Sequence, residues 1–140
     1  MGAWDATIFG NDDAQDWIMM LEGTGDLSLI EQTVQTVLAA GGTYLLVDDG
    51  VFALVAAELI AGMLGRWSIH DRYTEPIKAW VKRVDLLPPE DLIQKAIKAV
   101  DRVMTAPSEL LELWQEADDA DFAAWKATVA ELKKRLSTGN

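Results

Sequence analysis

The stretch from Asp49 to Leu64 is apolar on all sides of a helix, and it restricts the possible folds more than any other feature of the chain. A helix without a polar face has to be covered all round by other elements. Small residues would let those neighbours approach closely; they are Ala53, Ala56, Ala57, Ala61 and Gly62. The nearly uncharged part, Val51–Leu64, is too short to cross a bilayer. We therefore predict a central buried helix surrounded by the rest of the chain.

The remaining chain shows helical periodicity, interrupted by glycine and proline at the stops. The predicted helices run from Asp12 to Glu22, from Leu27 to Ala39, from Thr74 to Val84, from Pro88 to Met104, from Pro107 to Trp114 and from Asp118 to Leu136. No linker or repeat divides the 140 residues, and one core suits this length. The prediction is an all-α single domain over residues 1–140, with six or seven helices around Val51–Leu64 and a disordered tail from Ser137 to Asn140.

The segment Thr43–Val47 fits a short strand as well as a helical turn, because it is β-branched or apolar and lies between turn signals. A single strand is not stable alone. If the segment is a strand, Ala6–Phe9 is its expected partner in a small two-stranded β-ladder with Tyr44–Val47. A parallel pairing would bring Asn11–Asp13 close to Asp48–Asp49.

The charges are divided unevenly along the chain. All twelve lysines and arginines fall between Arg66 and Arg135. The first 65 residues hold ten carboxylates and no base, and this part of the chain accounts for nearly all of the net charge of −11. A surface of one sign attracts partners of the other sign. Nucleic acid is excluded as a ligand, since its binding depends on neutralised phosphates. We expect a non-enzymatic protein-binding module, of the immunity or regulator type, whose acidic N-terminal surface engages a basic protein partner.

The residues expected to form this surface lie on the first helix. Asp12, Asp13 and Asp16 share about a quarter of the helix circumference at 100° per residue, and Met19 and Met20 fall in the same sector. Methionine adapts to irregular apolar contacts. We expect another helix of the same chain to cover the two methionines, with the partner as the alternative cover.

A second class of function is a metal-dependent or carboxylate-based hydrolase. Its metal ligands would come from five carboxylates, Asp12, Asp13, Asp16, Asp48 and Asp49. Hard cations prefer such oxygen ligands, but the regular spacing of an EF-hand loop is absent. This alternative requires the five carboxylates to converge on one point. The sequence implies no organic cofactor.

Glu58 is the one charged residue inside the central apolar stretch. A buried carboxylate without a partner is costly by several kcal/mol, so Glu58 must reach solvent, pair with a cation such as Arg66 or Arg72, or keep its proton. We favour a structural ion pair or a boundary position over a catalytic role.

The sequence gives little support to other catalytic or metal sites. The chain has no cysteine and a single histidine, His70, which excludes thiolate catalysis and the usual zinc sites. Ser68, His70 and Asp71 are too close along the chain to converge as a catalytic triad. Four tryptophans lie on apolar helical faces and are expected in the core; they are Trp17, Trp80, Trp114 and Trp125.

The N-terminal pattern resembles the opening of the DUF4259 family, bacterial proteins of unknown function. The residues that carry the resemblance are Met1-Gly2-Ala3-Trp4, Ile8-Phe9, Asn11-Asp12-Asp13-Ala14, Asp16-Trp17, Ala56-Ala57-Glu58, Ser108-Glu109-Leu110, Leu113-Trp114 and Trp125. Asp5 and Gly10 replace the Gly and Asp usual in that family. The resemblance implies a small bacterial cytosolic domain and supplies no activity. Because the chain also shows no classical export signal, we expect a cytoplasmic protein without membrane association.

Overall fold

The computed structural model describes residues 8, 10–68 and 75–137. Within these ranges the chain forms seven helices and no strand. The helices are α1 (Asp12–Glu22), α2 (Ser28–Ala39), α3 (Val47–Met63), α4 (Glu75–Val84), α5 (Glu90–Val103), α6 (Glu109–Gln115) and α7 (Asp119–Ser137). The predicted all-α class is confirmed for the described part of the chain.

Helix α3 is the centre of the fold, as its apolar sequence predicts. Thirteen of its residues are buried, from Gly50 to Met63 with the exception of Phe52, and all six other helices pack against it. Close packing on every side depends on the small residues. At Gly62 the ring of Trp67 lies so near that an added Cβ would be 2.3 Å from its atoms.

The predicted β-ladder is not found among the described residues. In the segment Tyr44–Val47 only Leu45 pairs, and it does so in a single parallel bridge with Ser108. The Leu45 N–H donates to the Pro107 carbonyl at 3.1 Å. Of the proposed partner Ala6–Phe9 only Ile8 is described. The segment before α3 is therefore tied to the loop before α6.

This tie also determines where α3 begins. The helix starts at Val47, and the N–H of Val47 donates to Glu109 Oε1 at 2.8 Å. A carboxylate at a helix N-terminus satisfies a backbone donor that would otherwise have no partner. Arg102 holds the loop further by donating to four carbonyl oxygens at 2.6–3.0 Å, those of Gly41, Thr43, Thr105 and Pro107.

The end of α7 is joined to α3 by a buried ion pair. Glu58 is fully buried, and Arg135 binds both of its carboxylate oxygens at 2.7 Å. The Ser68 N–H also donates to Glu58 Oε2 at 3.1 Å. The cation that pairs with Glu58 is thus Arg135 and not Arg66. The guanidinium groups of Arg66 and Arg135 each donate to the backbone carbonyl of the other residue, at 2.8–2.9 Å.

The tryptophan predictions are confirmed, because Trp17, Trp80, Trp114 and Trp125 are all buried, the last two stacked with ring centroids 5.5 Å apart. Ser137, expected in a tail, is the last residue of α7. Several predictions fall outside the described residues, namely those on Trp4, His70, Asp71, Arg72, Thr74 and the residues 138–140. In the described ranges, none of the helices combines the length and the hydropathy that crossing a bilayer requires.

Candidate functional site

The first turn of α1 presents the first group of acids. Asn11 caps the helix, its side-chain oxygen accepting from the Ala14 N–H at 2.8 Å. Asp12 and Asp13 follow in the first turn, where the positive end of the helix dipole favours carboxylates. Asp12 and Asp16 are exposed, whereas Asp13 is half-buried.

The first turn of α3 presents the second group, Asp48 and Asp49. Burial raises the pKa of Asp13, and the charges of Asp48, Asp16 and Asp12 raise it further, with Asp48 contributing most among them. The two acidic turns therefore lie within electrostatic reach of each other, on neighbouring helices. Burial, followed by the charge of Asp48, likewise raises the pKa of Asp49. We call the surface formed by Asp12, Asp13, Asp16, Asp48 and Asp49 the acidic surface.

No cation of the described chain compensates this surface. The salt bridges among the described residues involve other carboxylates, those of Glu58, Glu75, Asp91, Asp101 and Glu131. At one end of α1, Arg83 donates to the backbone carbonyls of Glu22 and Thr24 at 3.3–3.4 Å. Three of the five acids are exposed and two, Asp13 and Asp49, are half-buried, and their charged neighbours within the group are carboxylates.

The same acids do not form a metal centre in the part of the chain that the structure describes. No set of three or more histidine, aspartate or glutamate side chains is placed there to hold one ion. Asp12 and Asp16 point into solvent, while Asp48 accepts the Asp49 N–H at 2.9 Å. The convergence that the hydrolase alternative requires is not seen among them.

The prediction that another helix covers Met19 and Met20 is wrong. Met19 is 69% exposed and Met20 is 49% exposed. Helix α1 packs on α3 and α4 through the face formed by Ala14, Trp17, Ile18 and Leu21, and Trp17 also donates to Thr33 of α2. Its opposite face, with the two methionines beside the acidic residues, is left open to solvent.

A cleft of about 230 Å³ opens between α1, α2 and α3 next to this face. Its lining consists of Trp17, Met20, Leu29, Gln32, Thr33, Thr36, Asp49 and Phe52. Two hydroxyls of the lining donate to the carbonyls of their own helix, Thr33 at 2.7 Å and Thr36 at 2.9 Å. Trp17 Nε1 donates to Thr33 Oγ1 at 3.0 Å. Among the described residues of the lining, Asp49 is the only one with a charged side chain.

Sequence reasoning identified two members of this site, Met20 and Asp49, but not the cleft itself. Phe52 lies one turn after Asp49 and is half-buried. No local signal marks it, because it occupies an apolar position in a helix that is apolar throughout.

Comparison with known proteins gives a family but no activity. A family model described as a domain of unknown function, DUF4259, matches residues 2–128. No curated protein and no solved structure has significant similarity to the chain.

Proposed function

Because the chain belongs to the DUF4259 family, a domain of unknown function, we propose from its surface chemistry that it is a non-enzymatic binding module of the bacterial cytoplasm. In this proposal its acidic surface engages a basic protein, as an immunity-like or regulator-like protein would. The observation that carries the proposal is a group of five carboxylates, three exposed and two half-buried, without a salt-bridge partner in the described chain and beside two exposed methionines.

Electrostatics supports a cationic partner. The raised pKa values of Asp13 and Asp49 have burial as their first cause and neighbouring carboxylates as their second. In the charged state both residues are therefore less well stabilised in the fold than in free solution. A partner that brings positive groups to this surface relieves the repulsion, and it gains speed of association from the long-range field.

The apolar part of the surface supports a protein partner over simple ions. Exposed methionines are frequent at binding surfaces because the flexible thioether side chain adapts to different partners. Large apolar side chains next to a charged rim resemble the layout of protein interfaces. Met19 and Met20 supply the apolar part here, and the acidic residues of α1 and α3 supply the rim.

The test is capture from a bacterial lysate on the immobilised protein at low and high salt. We expect a basic protein to be retained at low salt and released at high salt, because salt screens exposed charges. The triple substitution Asp12→Asn, Asp13→Asn and Asp16→Asn should weaken its binding about tenfold, taking about 0.5 kcal/mol for each exposed charge.

A matched control removes the same charge elsewhere. Glu116, Asp119 and Asp121 are exposed around the connection of α6 and α7, and the substitutions Glu116→Gln, Asp119→Asn and Asp121→Asn should leave retention nearly unchanged. Equal weakening in both triple variants, or retention that ignores salt, contradicts an acidic binding surface on α1 and α3.

A further inference from the structure

Resting on the proposed function, we propose that the cleft between α1, α2 and α3 receives a long basic side chain, lysine or arginine, from the partner protein. Its aliphatic stem lies on the apolar wall formed by Met20, Leu29 and Phe52, and its cationic head meets the carboxylate of Asp49. The site adds a specific anchor to what is otherwise a diffuse electrostatic attraction.

The lining of the cleft fits both the aliphatic stem and the cationic head of such a side chain. Lysine and arginine carry an apolar stem that packs along hydrophobic surface and a charged head that needs a polar end. Met20, Leu29 and Phe52 come from three different helices and present the apolar wall. Asp49 carries the one carboxylate among the described residues of the lining, and no described residue forms a salt bridge with it.

Apart from the Gln32 amide, the other polar side chains of the described lining are already engaged within the protein. The Trp17 indole N–H donates to Thr33, and the hydroxyls of Thr33 and Thr36 donate to backbone carbonyls. An anionic ligand would find few free donors here and would be repelled by Asp49 and the adjacent Asp48. Charge complementarity therefore selects a cation, and the apolar wall selects a cation with a stem.

The probe is a deca-lysine peptide added to the protein at neutral pH and low salt. The reporter is the indole N–H resonance of Trp17, assigned with the variant Trp17→Phe, because the Trp17–Thr33 hydrogen bond lies in the wall of the cleft. We expect this resonance to shift and to saturate as the peptide binds.

Two comparisons separate the anchor from general attraction. Asp49→Asn should weaken deca-lysine about fivefold, the upper range for a single partly exposed charge pair. Asp48→Asn removes the same charge from the neighbouring exposed position and should weaken it less than twofold. A decamer of diaminobutyric acid, with the same charge and two methylenes fewer in each side chain, should bind roughly tenfold more weakly, from about 0.8 kcal/mol per buried methylene.

The outcomes distinguish the cleft from the surface as a whole. If deca-lysine binds while Trp17 is unaffected and Asp49→Asn behaves like Asp48→Asn, the anchor is wrong and the acidic surface stands. If deca-lysine does not bind, the anchor is wrong and the surface is judged by the salt-dependent capture alone. Spermine binding as tightly as deca-lysine identifies a free polyamine as the occupant. A Trp17 shift on concentrating the protein without peptide identifies a second copy, and either result overturns the proposal.

Discussion

Among the described glycines that a side chain approaches, Gly62 has the closest neighbour. The ring of Trp67 fills the space that a Cβ would occupy, with three ring atoms 2.3–2.4 Å from the added atom. Gly62→Ala should lower the free energy of unfolding by about 1–2 kcal/mol, because overpacking costs about 1–3 kcal/mol and the better helix propensity of alanine returns up to about 1 kcal/mol. Denaturant unfolding measures the difference.

Gly50 provides the matched control in the same helix. An added Cβ there would lie 3.4 Å from Leu110 Cβ, at the edge of ordinary contact. Gly50→Ala should therefore be neutral or stabilising by up to about 1 kcal/mol. A Gly62→Ala variant as stable as Gly50→Ala would show that Trp67 moves aside without cost, and the close packing of Trp67 on α3 would lose its energetic importance.

Residue-level placement could be predicted where a single helix decides it. The four core tryptophans follow from helical spacing, and so does the shared sector of Asp12, Asp13 and Asp16. The exposure of Met19 and Met20 could not be predicted, because it depends on how many helices cover α1, and α1 packs through a single face. Met19 and Met20 lie outside the main apolar stripe of α1, and the helices beside them leave both side chains at least about half exposed.

At the scale of elements, α7 and α3 are coupled through Arg135 and Glu58. Arg135→Met should cost about 3–5 kcal/mol, since it removes the cation that binds both oxygens of a fully buried carboxylate. In this variant the folded state has to bind a proton that the unfolded state at neutral pH does not bind. Its stability relative to the wild type should therefore recover as the pH falls from neutral towards 5. Chemical denaturation at several pH values measures both effects.

The double variant Glu58→Gln with Arg135→Met is the control for this coupling. It has no buried charge, so its stability relative to the wild type should be nearly independent of pH and higher than that of Arg135→Met alone at neutral pH. Burial lowers the pKa of the Arg135 guanidinium, but the hydrogen bonds and charges of Glu58 and Glu131 outweigh it and raise the pKa above its usual value. If the stability of Arg135→Met depends on pH as that of the wild type does, the ion pair with Glu58 is not essential for stability.

Helix boundaries show how far local sequence specifies an element. Asp12–Glu22 was predicted with both ends correct, because its cap and its stop lie next to it in sequence. Helix α3 begins at Val47 instead of Asp49, since its N-terminal partner is Glu109, 62 residues away. The cation for Glu58 is 77 residues away. Both partners are brought close by tertiary packing. Local spacing cannot indicate which of the twelve lysines and arginines pairs with Glu58.

At the scale of the whole molecule, the architecture followed from one property, a helix with no polar face. That property requires neighbours on all sides, and the described helices supply them. The cleft could not be predicted in the same way. Its lining comes from three helices, so it depends on their relative positions, which the hydrophobic pattern leaves open.

The charge distribution of the whole molecule leads to a prediction about divalent cations. The described carboxylates do not converge in a group of three or more, so millimolar Mg²⁺, Ca²⁺ or Mn²⁺ should change the melting temperature no more than a monovalent salt of equal ionic strength. A specific site at a hundredfold excess over Kd would instead add about 2.7 kcal/mol. A saturable rise in melting temperature that Asp13→Asn abolishes would favour the hydrolase alternative.

The ion pair between Glu58 and Arg135 has a consequence for folding during synthesis on the ribosome. The ribosome synthesises Glu58 77 residues before Arg135, which at about 5–20 residues per second is an interval of roughly 4–15 s. Throughout that time the nascent chain contains a carboxylate that its core cannot bury at low cost. Completion of the native core should therefore wait until the last turn of α7 leaves the ribosome, and until then the side of α3 that α7 covers should stay accessible to chaperones.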